Sequence, residues 1–358
     1  MQKRGLLTMA LVGVIAPLAA CAGDVETGAD AVGDAVSSVT GGGSRLQTVL
    51  DRGQLVCGVD GGIPGFSFVD DSGTYSGLDV DVCKAVAAAL FDDPDAVEYR
   101  RLDSTERFEA LKGGEVDMLS RNTTWTISRD TSVGMEFAPT TFFDGQGMLV
   151  RTAAGIAELT DFEGKSVCVE TGTTTELNLT DQMRQNGVTF EPVVFQDADA
   201  AYAAYEEGRC EGMTSDKSQL VARRSTLSNP DEHGLLEVTM SKEPLGPVTI
   251  NNDSAWFDTV KWVTYALIQA EEFGLTADTV EAGTSSEDPN ILRFVGVEGT
   301  LGSDMGLPND FALRAVKHVG NYGEIYDRNV GKDSQFGLER GQNALWTDGG
   351  LMYAPPFR

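Results

Sequence analysis

The sequence predicts an α/β protein of two lobes that repeat one order of strands and helices. A length of 358 residues suits two domains, since a domain usually takes roughly 100–200 residues. Apolar residues form 41% of the chain, which is enough to build packed cores. Two separate segments alternate short apolar strands with stretches of helical apolar spacing, and this alternation favours parallel sheets with crossover helices.

The first 44 residues are expected to lie outside both lobes. A short basic start and an apolar stretch over 6–20 are typical of a signal peptide over 1–20, too short for a comfortable membrane span. The stretch ends in Leu-Ala-Ala-Cys at 18–21, which resembles the bacterial lipoprotein signal and implies a lipid on Cys21. A plain signal peptide with a chance cysteine is the alternative. Residues 21–44 are rich in Ala, Gly, Ser and Asp and predict a flexible tether.

The charge of the chain excludes some classes of partner. It has 27 basic and 55 acidic residues, which gives a formal net charge of -28. Nucleic acid and anionic lipid surfaces need clustered basic charge, so neither is expected as the main partner. The acidic surface instead suits a solvated, secreted monomer.

The elements of the first lobe follow from local patterns. A strand over 55–59 precedes a Gly/Pro-rich loop at 60–65. Apolar residues then recur at helical spacing over 78–91, with acidic residues in the first turn, where the helix dipole favours them. A capping box at 103–106 opens the next helix, which stops at two glycines. Two further strands are predicted over 97–102 and 116–120.

The second lobe repeats this order. A strand starts at residue 166, and Thr173 with Glu176 forms a capping box that opens a helix to about residue 185. A second helix over 197–207 stops at Gly208. The remaining elements are strands at 193–195 and 210–214 and a helix from about 216.

Four cysteines remain when Cys21 is set aside. An exported chain meets an oxidising compartment, so two disulfides are expected. Of the three possible pairings we favour Cys57 with Cys83 and Cys168 with Cys210, because each bridge then stays within one compact segment; buried free thiols are the alternative. The chain has only two histidines and no closely spaced cysteine pair, so no metal and no cofactor is expected.

The candidate binding residues follow the predicted strands. Ligands of parallel sheets bind beyond the carboxyl ends of the strands, here after residues 59, 120, 169 and 214. These places hold Arg129, a Gly-Thr-Thr-Thr turn at 172–175 that starts a helix, and Asp216. An Arg and free helix-start amides suit a carboxylate, and an Asp suits an ammonium, so together they predict an α-amino acid site. Taken singly, each could be an ordinary surface ion pair or helix cap.

The segments 119–129, 164–175 and 214–216 resemble the polar amino acid family of extracytoplasmic substrate-binding proteins of ABC transporters, over about residues 46–275. The segment 121–126 and the tail 344–356 further resemble its general L-amino acid branch. The resemblance implies a type II periplasmic-binding-protein fold, in which one lobe is inserted into the other. The implied parts are lobe 1 at 45–145, lobe 2 at 146–245, a return segment with a C-terminal extension at 246–358, and a hinge of two strands near 142–151 and 240–250. A helix over 310–316 is expected to pack on lobe 1.

The resemblance also implies a role for each binding residue. Arg129 and the backbone of Thr174 and Thr175 would hold the carboxylate. The ammonium would be held by Asp216, Thr124 and Asn122, with Phe66 lining the pocket. Many cation-binding members place an aromatic residue where this chain has Ile63, and no acidic residue is obvious for a cationic side chain. The sequence therefore predicts a roomy, tolerant pocket.

The predicted function is capture of L-amino acids by an extracytoplasmic, membrane-anchored lipoprotein that delivers them to an ABC transporter permease. No enzyme activity is expected. Two alternatives use the same fold: a cyclohexadienyl dehydratase-like enzyme, for which Glu170 lies beside the pocket, and a binding protein that feeds a separate receptor.

Overall fold

The computed structural model describes residues 44–358. The predicted signal peptide, Cys21 and the tether up to residue 43 lie outside the described residues. Within this part of the chain the helices are α1 (Arg45–Arg52), α2 (Leu78–Phe91), α3 (Arg107–Gly113), α4 (Ile127–Thr131), α5 (Thr174–Gln185), α6 (Ala198–Glu206), α7 (Lys217–Arg224), α8 (Ser254–Glu272), α9 (Pro289–Phe294), α10 (Leu301–Asp304), α11 (Phe311–Val319) and α12 (Tyr322–Asn329). The strands are β1 (Leu55–Val59), β2 (Gly62–Ile63), β3 (Ser67–Val69), β4 (Tyr75–Ser76), β5 (Val97–Arg101), β6 (Met118–Leu119), β7 (Met135–Phe137), β8 (Phe142–Asp144), β9 (Gln146–Arg151), β10 (Ser166–Glu170), β11 (Glu191–Phe195), β12 (Gly212–Asp216), β13 (His233–Leu235), β14 (Glu243–Leu245) and β15 (Val248–Ile250).

Each lobe is built on a five-stranded mixed sheet. The strand order is β5-β1-β6-β15-β7 in lobe 1 and β11-β10-β12-β9-β13 in lobe 2. The first three strands of each list are parallel, as predicted, whereas β15 and β9 run antiparallel to their neighbours. These two strands enter directly from the other lobe rather than through a crossover helix. Only a crossover connection requires a strand to run parallel to its neighbour, and these two strands have none. The sheets are therefore mixed rather than all-parallel as predicted.

Two crossing strands join the lobes. β8 pairs antiparallel with β14, so that Phe142 faces Leu245 and Asp144 faces Glu243. Both strands lie inside the segments in which the hinge was expected. Asp144 and Glu243, the two acidic residues that face each other, are therefore part of the connection between the lobes.

The start of α2 depends on one glycine. Gly77 adopts a φ of +126°, and a Cβ there would lie 2.1 Å from the carbonyl oxygen of Phe66. Only glycine fits such a close approach. From this start α2 runs through the centre of lobe 1, where nearly all of its side chains are buried.

Two disulfides tie strands to neighbouring elements. Cys57 of β1 bonds Cys83 of α2, with a Cα–Cα distance of 6.3 Å. Cys168 of β10 bonds Cys210, which precedes β12, with a Cα–Cα distance of 5.6 Å. This is the pairing favoured from the sequence. Closing loops of 26 and 42 residues would stabilise the fold by roughly 3–4 kcal/mol each in the chain-entropy model.

The C-terminal extension packs on lobe 1 and reaches the hinge. Its helix α11 lies against α2 and α8, as expected for the helix predicted over 310–316. Arg328 and Asn329 both bond the carboxylate of Asp81 in α2. The side-chain amide of Asn343 accepts from the backbone N–H of Phe143 over 2.6 Å and donates to its carbonyl over 3.2 Å. The extension therefore holds β8 as an additional strand would.

No helix among residues 44–358 is both long and apolar enough to cross a membrane. In the same residues no group of three or more His, Cys, Asp or Glu side chains is arranged so that it could hold a metal ion.

Candidate functional site

A small polar cavity of about 30 Å³ lies between the lobes, at the carboxyl ends of β1, β6, β10 and β12. Six residues predicted to bind ligand line it together: Asn122, Thr124 and Arg129 from lobe 1, and Thr174, Thr175 and Asp216 from lobe 2. The remaining lining residues are Asp60, Ile63, Ser104, Arg107, Arg121, Glu170, Thr173, Ser215 and Gln219.

The start of α5 supplies backbone donors on the lobe 2 side. Thr173 is the N-cap, and its hydroxyl accepts from the backbone N–H of Glu176 over 3.1 Å. The first amides of a helix have no intrahelical acceptor, so those of Thr174 and Thr175 are available to an anion. The Thr174 hydroxyl donates to Glu243 over 2.8 Å, which fixes the turn against the hinge.

Asp216 is a buried carboxyl group that forms no ion pair with any of the described residues. Its side chain ends β12 and is 6% exposed, and its Oδ1 has no hydrogen-bond partner among the described residues. Burial, followed by the neighbouring carboxylates of Asp144 and Glu243, raises the pKa of Asp216 well above its ordinary value, although Arg129 opposes the rise. The burial of Asp144 likewise raises its pKa, to about 6. This acidic cluster would be stabilised by a cationic group of a ligand.

Arg129 provides a buried positive charge. It follows the N-cap Thr126 in α4, and its Nη1 donates to the carbonyl of Thr124 over 2.8 Å. The guanidinium lies 5.4 Å from the ring centroid of Phe108. Burial lowers the pKa of Arg129 to about 10, so the group stays charged at neutral pH. Most of its donors are free to bind a carboxylate.

The loop that carries Asn122 and Thr124 is held by Asp79 at the start of α2. Asp79 accepts from the Ser120 hydroxyl over 3.2 Å and from the backbone N–H of Asn122 over 3.1 Å. Both polar atoms of the Asn122 side chain are buried without a partner among the described residues. The Thr124 hydroxyl lies 3.3 Å from that of Thr174, which joins the two lobes across the cavity.

Several charged residues of the cavity were not predicted from the sequence. Asp60 and Arg121 form a buried ion pair with an N–O distance of 2.6 Å. Asp60 directly follows β1. It could have been predicted as a site residue, because ligands of parallel sheets bind beyond the carboxyl ends of the strands. Arg107 gave no such signal, because it lies in a helix whose residues otherwise show ordinary amphipathic spacing.

The structure corrects two expectations from the sequence. Phe66 does not line the cavity; it is buried in the lobe 1 core, with its ring edge-on to Phe142 at 5.1 Å. Trp125, in the same loop as Thr124, is half-exposed outside the cavity and stacks on Phe137. An acidic residue for a cationic side chain does exist, since Glu170 lines the cavity at the end of β10.

The lobes also meet outside the cavity. Arg101 of lobe 1 forms an ion pair with Asp199 of lobe 2 at 2.6 Å, and Arg223 bonds the same carboxylate. Gln196 donates to the hydroxyl of Thr105 over 2.7 Å. These contacts close the cleft, and they lie on its rim rather than on the cavity wall.

Comparison with known proteins places these features in a family context. A model of the bacterial extracellular solute-binding proteins, family 3, matches residues 55–332. The chain is 48% identical over 333 residues to the general L-amino acid-binding periplasmic protein AapJ of Rhizobium johnstonii, covering 92% of this chain and 98% of AapJ. It is 47% identical over 316 residues to the glutamate/glutamine/aspartate/asparagine-binding protein BztA of Rhodobacter capsulatus, covering 88% and 94%.

One solved structure is similar to this chain along the whole length of the solved protein. It is an ABC transporter periplasmic binding protein from Brucella ovis with glutathione bound, 46% identical to this chain. The TM-score is 0.86, and the match covers 88% of this chain and 100% of that one.

Proposed function

Because the chain belongs to the bacterial extracellular solute-binding proteins of family 3, we propose that it captures L-amino acids between its lobes and delivers them to an ABC transporter permease. The fold is the expected type II periplasmic-binding-protein fold, with mixed sheets. Solute-binding proteins of this family are not enzymes, and we propose no catalytic role for this chain. An extracytoplasmic location follows from the family.

The observation that best supports the proposal is the pair of opposite buried charges in one cavity. Arg129 would bind the ligand carboxylate with two charge-assisted hydrogen bonds, aided by the amides of Thr174 and Thr175. Asp216 would bind the ammonium, with Asn122 and Thr124 beside it. Each charge of the ligand would neutralise a buried charge of the protein that is costly to leave unpaired. A zwitterion therefore fits the site better than an anion or a cation alone.

We further propose a broad range of amino acids. AapJ is named for general L-amino acid binding and BztA for four acidic and amide amino acids, and the chain resembles both to a similar extent. Ile63 lines the cavity where an aromatic clamp would narrow the choice of side chain. An aliphatic wall contacts many side chains without selecting one.

A thermal-shift panel tests the proposed function. The protein is unfolded and refolded to remove carried-over ligand, then mixed with L-amino acids, two D-amino acids, sugars and prephenate. We expect several L-amino acids to raise the melting temperature, because a ligand at about 100 times its Kd adds about 2.7 kcal/mol. A shift with prephenate alone would favour the enzyme alternative, and no shift with any amino acid would contradict the proposal.

The rim contact leads to a second prediction. Arg101→Gln should weaken the binding of every ligand by about three- to five-fold, because an exposed ion pair is worth roughly 1 kcal/mol or less. The matched control is Arg100→Gln, since the neighbouring Arg100 pairs with Glu98 inside lobe 1. Calorimetry at low and high salt would check this, and the difference from wild type should shrink at high salt. Equal effects of both substitutions would contradict a role in closure.

Glutathione is a second candidate ligand, because the Brucella ovis protein was solved with it bound. Its γ-glutamyl end carries a free ammonium and carboxylate, so it would use the same Arg129 and Asp216. Adding glutathione to the panel and competing it against an L-amino acid would test this. Failure to compete would remove the candidate.

We also propose that the protein is a monomer anchored by a lipid on Cys21, a residue outside the described part of the chain. The lipoprotein-like motif at 18–21 and the acidic composition support this. The intact mass of protein extracted from membranes would test the lipid, since an unmodified mass would contradict it.

A further inference from the structure

We propose that Arg107 and Glu170 form a side-chain subsite of two signs, in which Arg107 binds acidic or amide side chains and Glu170 binds basic ones. This inference rests on the proposed function and deepens it. It gives a physical cause for broad specificity. The pocket would contain a positive group for acidic side chains and a negative group for basic ones.

Arg107 is a buried cation without a matching anion. It is 2% exposed and lines the cavity from α3 in lobe 1. Its Nη2 donates to the carbonyl of Gly172 over a long 3.4 Å, and its Nε has no partner among the described residues. No carboxylate of residues 44–358 comes within 4.0 Å of the guanidinium, which leaves a buried charge to be satisfied.

Glu170 is the corresponding acidic group on the other lobe. It ends β10, is 9% exposed and lines the same cavity. Burial raises the pKa of Glu170, while the charge of Arg121 and a hydrogen bond from Ser104 oppose the rise. No basic group of the described residues reaches ion-pair distance from its carboxylate. A ligand ammonium or guanidinium would therefore gain a partner there.

The other charges of the cavity already have roles or partners. Arg121 is paired with Asp60. Arg129 and Asp216 are assigned to the carboxylate and ammonium that every α-amino acid carries. Among the charged lining residues, Arg107 and Glu170 remain for the part of the ligand that varies.

The position of the pair on opposite lobes explains how it could serve both kinds of side chain. Arg107 belongs to lobe 1 and Glu170 to lobe 2, and they stay farther apart than an ion pair. A side chain between them can therefore bond one residue without first breaking a strong bond to the other. A small neutral side chain would form no bond with either residue and would not change their positions.

The test measures three ligands against two variants. Arg107→Gln and Glu170→Gln are titrated with L-glutamate, L-lysine and L-alanine by calorimetry. Lys112→Gln, an exposed position in α3, and Glu191→Gln, an exposed position in β11, serve as matched controls for the loss of charge. Binding of alanine by the wild-type protein establishes the proposed function independently of the subsite.

We expect a crossed pattern. Arg107→Gln should weaken glutamate by roughly 30-fold and Glu170→Gln should weaken lysine by roughly 30-fold, the size of a lost hydrogen bond to a charged group. Each variant should bind alanine within about three-fold of wild type, and neither control should change any ligand. Equal losses for all three ligands, or no loss for the charged ones, would overturn the subsite. Failure of the wild-type protein to bind any of the three amino acids would instead overturn the proposed function.

Discussion

Asp216→Asn is expected to abolish amino acid binding and, at the same time, to raise the melting temperature of the ligand-free protein at neutral pH. The binding loss should be on the order of 1000-fold, because the ligand ammonium would be buried without an opposing charge. The gain in stability has a separate cause. Burial and two neighbouring carboxylates raise the pKa of Asp216 in the folded state, so its ionised form opposes folding.

The pH dependence follows from the sign of that shift. The contribution of a carboxyl group with a raised folded pKa is present in full below its unfolded pKa, and it is lost as pH rises through the folded pKa. An uncharged Asn removes this loss, so the variant should gain over wild type at neutral pH and show little gain in acid. Melting curves at both pH values, with Asp181→Asn as an exposed control, would measure the difference. A lower melting temperature at neutral pH, or retained affinity, would contradict the expectation.

Arg129→Ala should also abolish binding, by on the order of 1000-fold or more, because the ligand carboxylate would lose its buried cation. Arg129→Lys is the more informative variant. A lysine keeps the charge but cannot make two parallel hydrogen bonds to one carboxylate, so it should recover only part of the affinity. Calorimetry with one neutral amino acid would rank wild type above Lys and Lys above Ala.

An exposed arginine provides the control for this series. Arg184→Ala changes the same charge on α5, where the guanidinium pairs with Asp181 at the surface. It should bind as wild type does. If Arg129→Ala also bound normally while it melted cooperatively, the carboxylate would have to be held elsewhere.

Much of the fold was predictable because strands, caps and crossovers depend on local sequence. The paired lobes and the cysteine pairing belong to this part, whereas the hinge segments were implied by the resemblance to the family. The antiparallel direction of β9 and β15 was not predictable from local sequence, because it depends on how the chain passes from one lobe to the other. The resemblance assigned Phe66 to the pocket, but an aromatic residue in a loop near the ligand can point into the core or out of it, and here it packs on Phe142 in the core.

The candidate site was predictable where a residue follows a strand. Arg129, Asp216 and the turn before α5 meet this condition or lie close to it. Arg107 lies within a helix, and only the packing of the two lobes shows that its side chain faces the cavity. Its lack of an anionic partner is a property of three-dimensional proximity, which no spacing in the sequence reveals.

The bond between Asn343 and Phe143 bears on how a transporter could recognise the loaded protein. Phe143 is held by the C-terminal extension, whereas Gly145, two residues later, is already bonded to Lys217 of lobe 2. The extension would therefore turn together with lobe 1 if the lobes rotate relative to each other about the crossing strands. The surface of lobe 1 would look the same to a permease whether or not a ligand is present. The orientation of lobe 2 would be the signal that distinguishes a full receptor from an empty one.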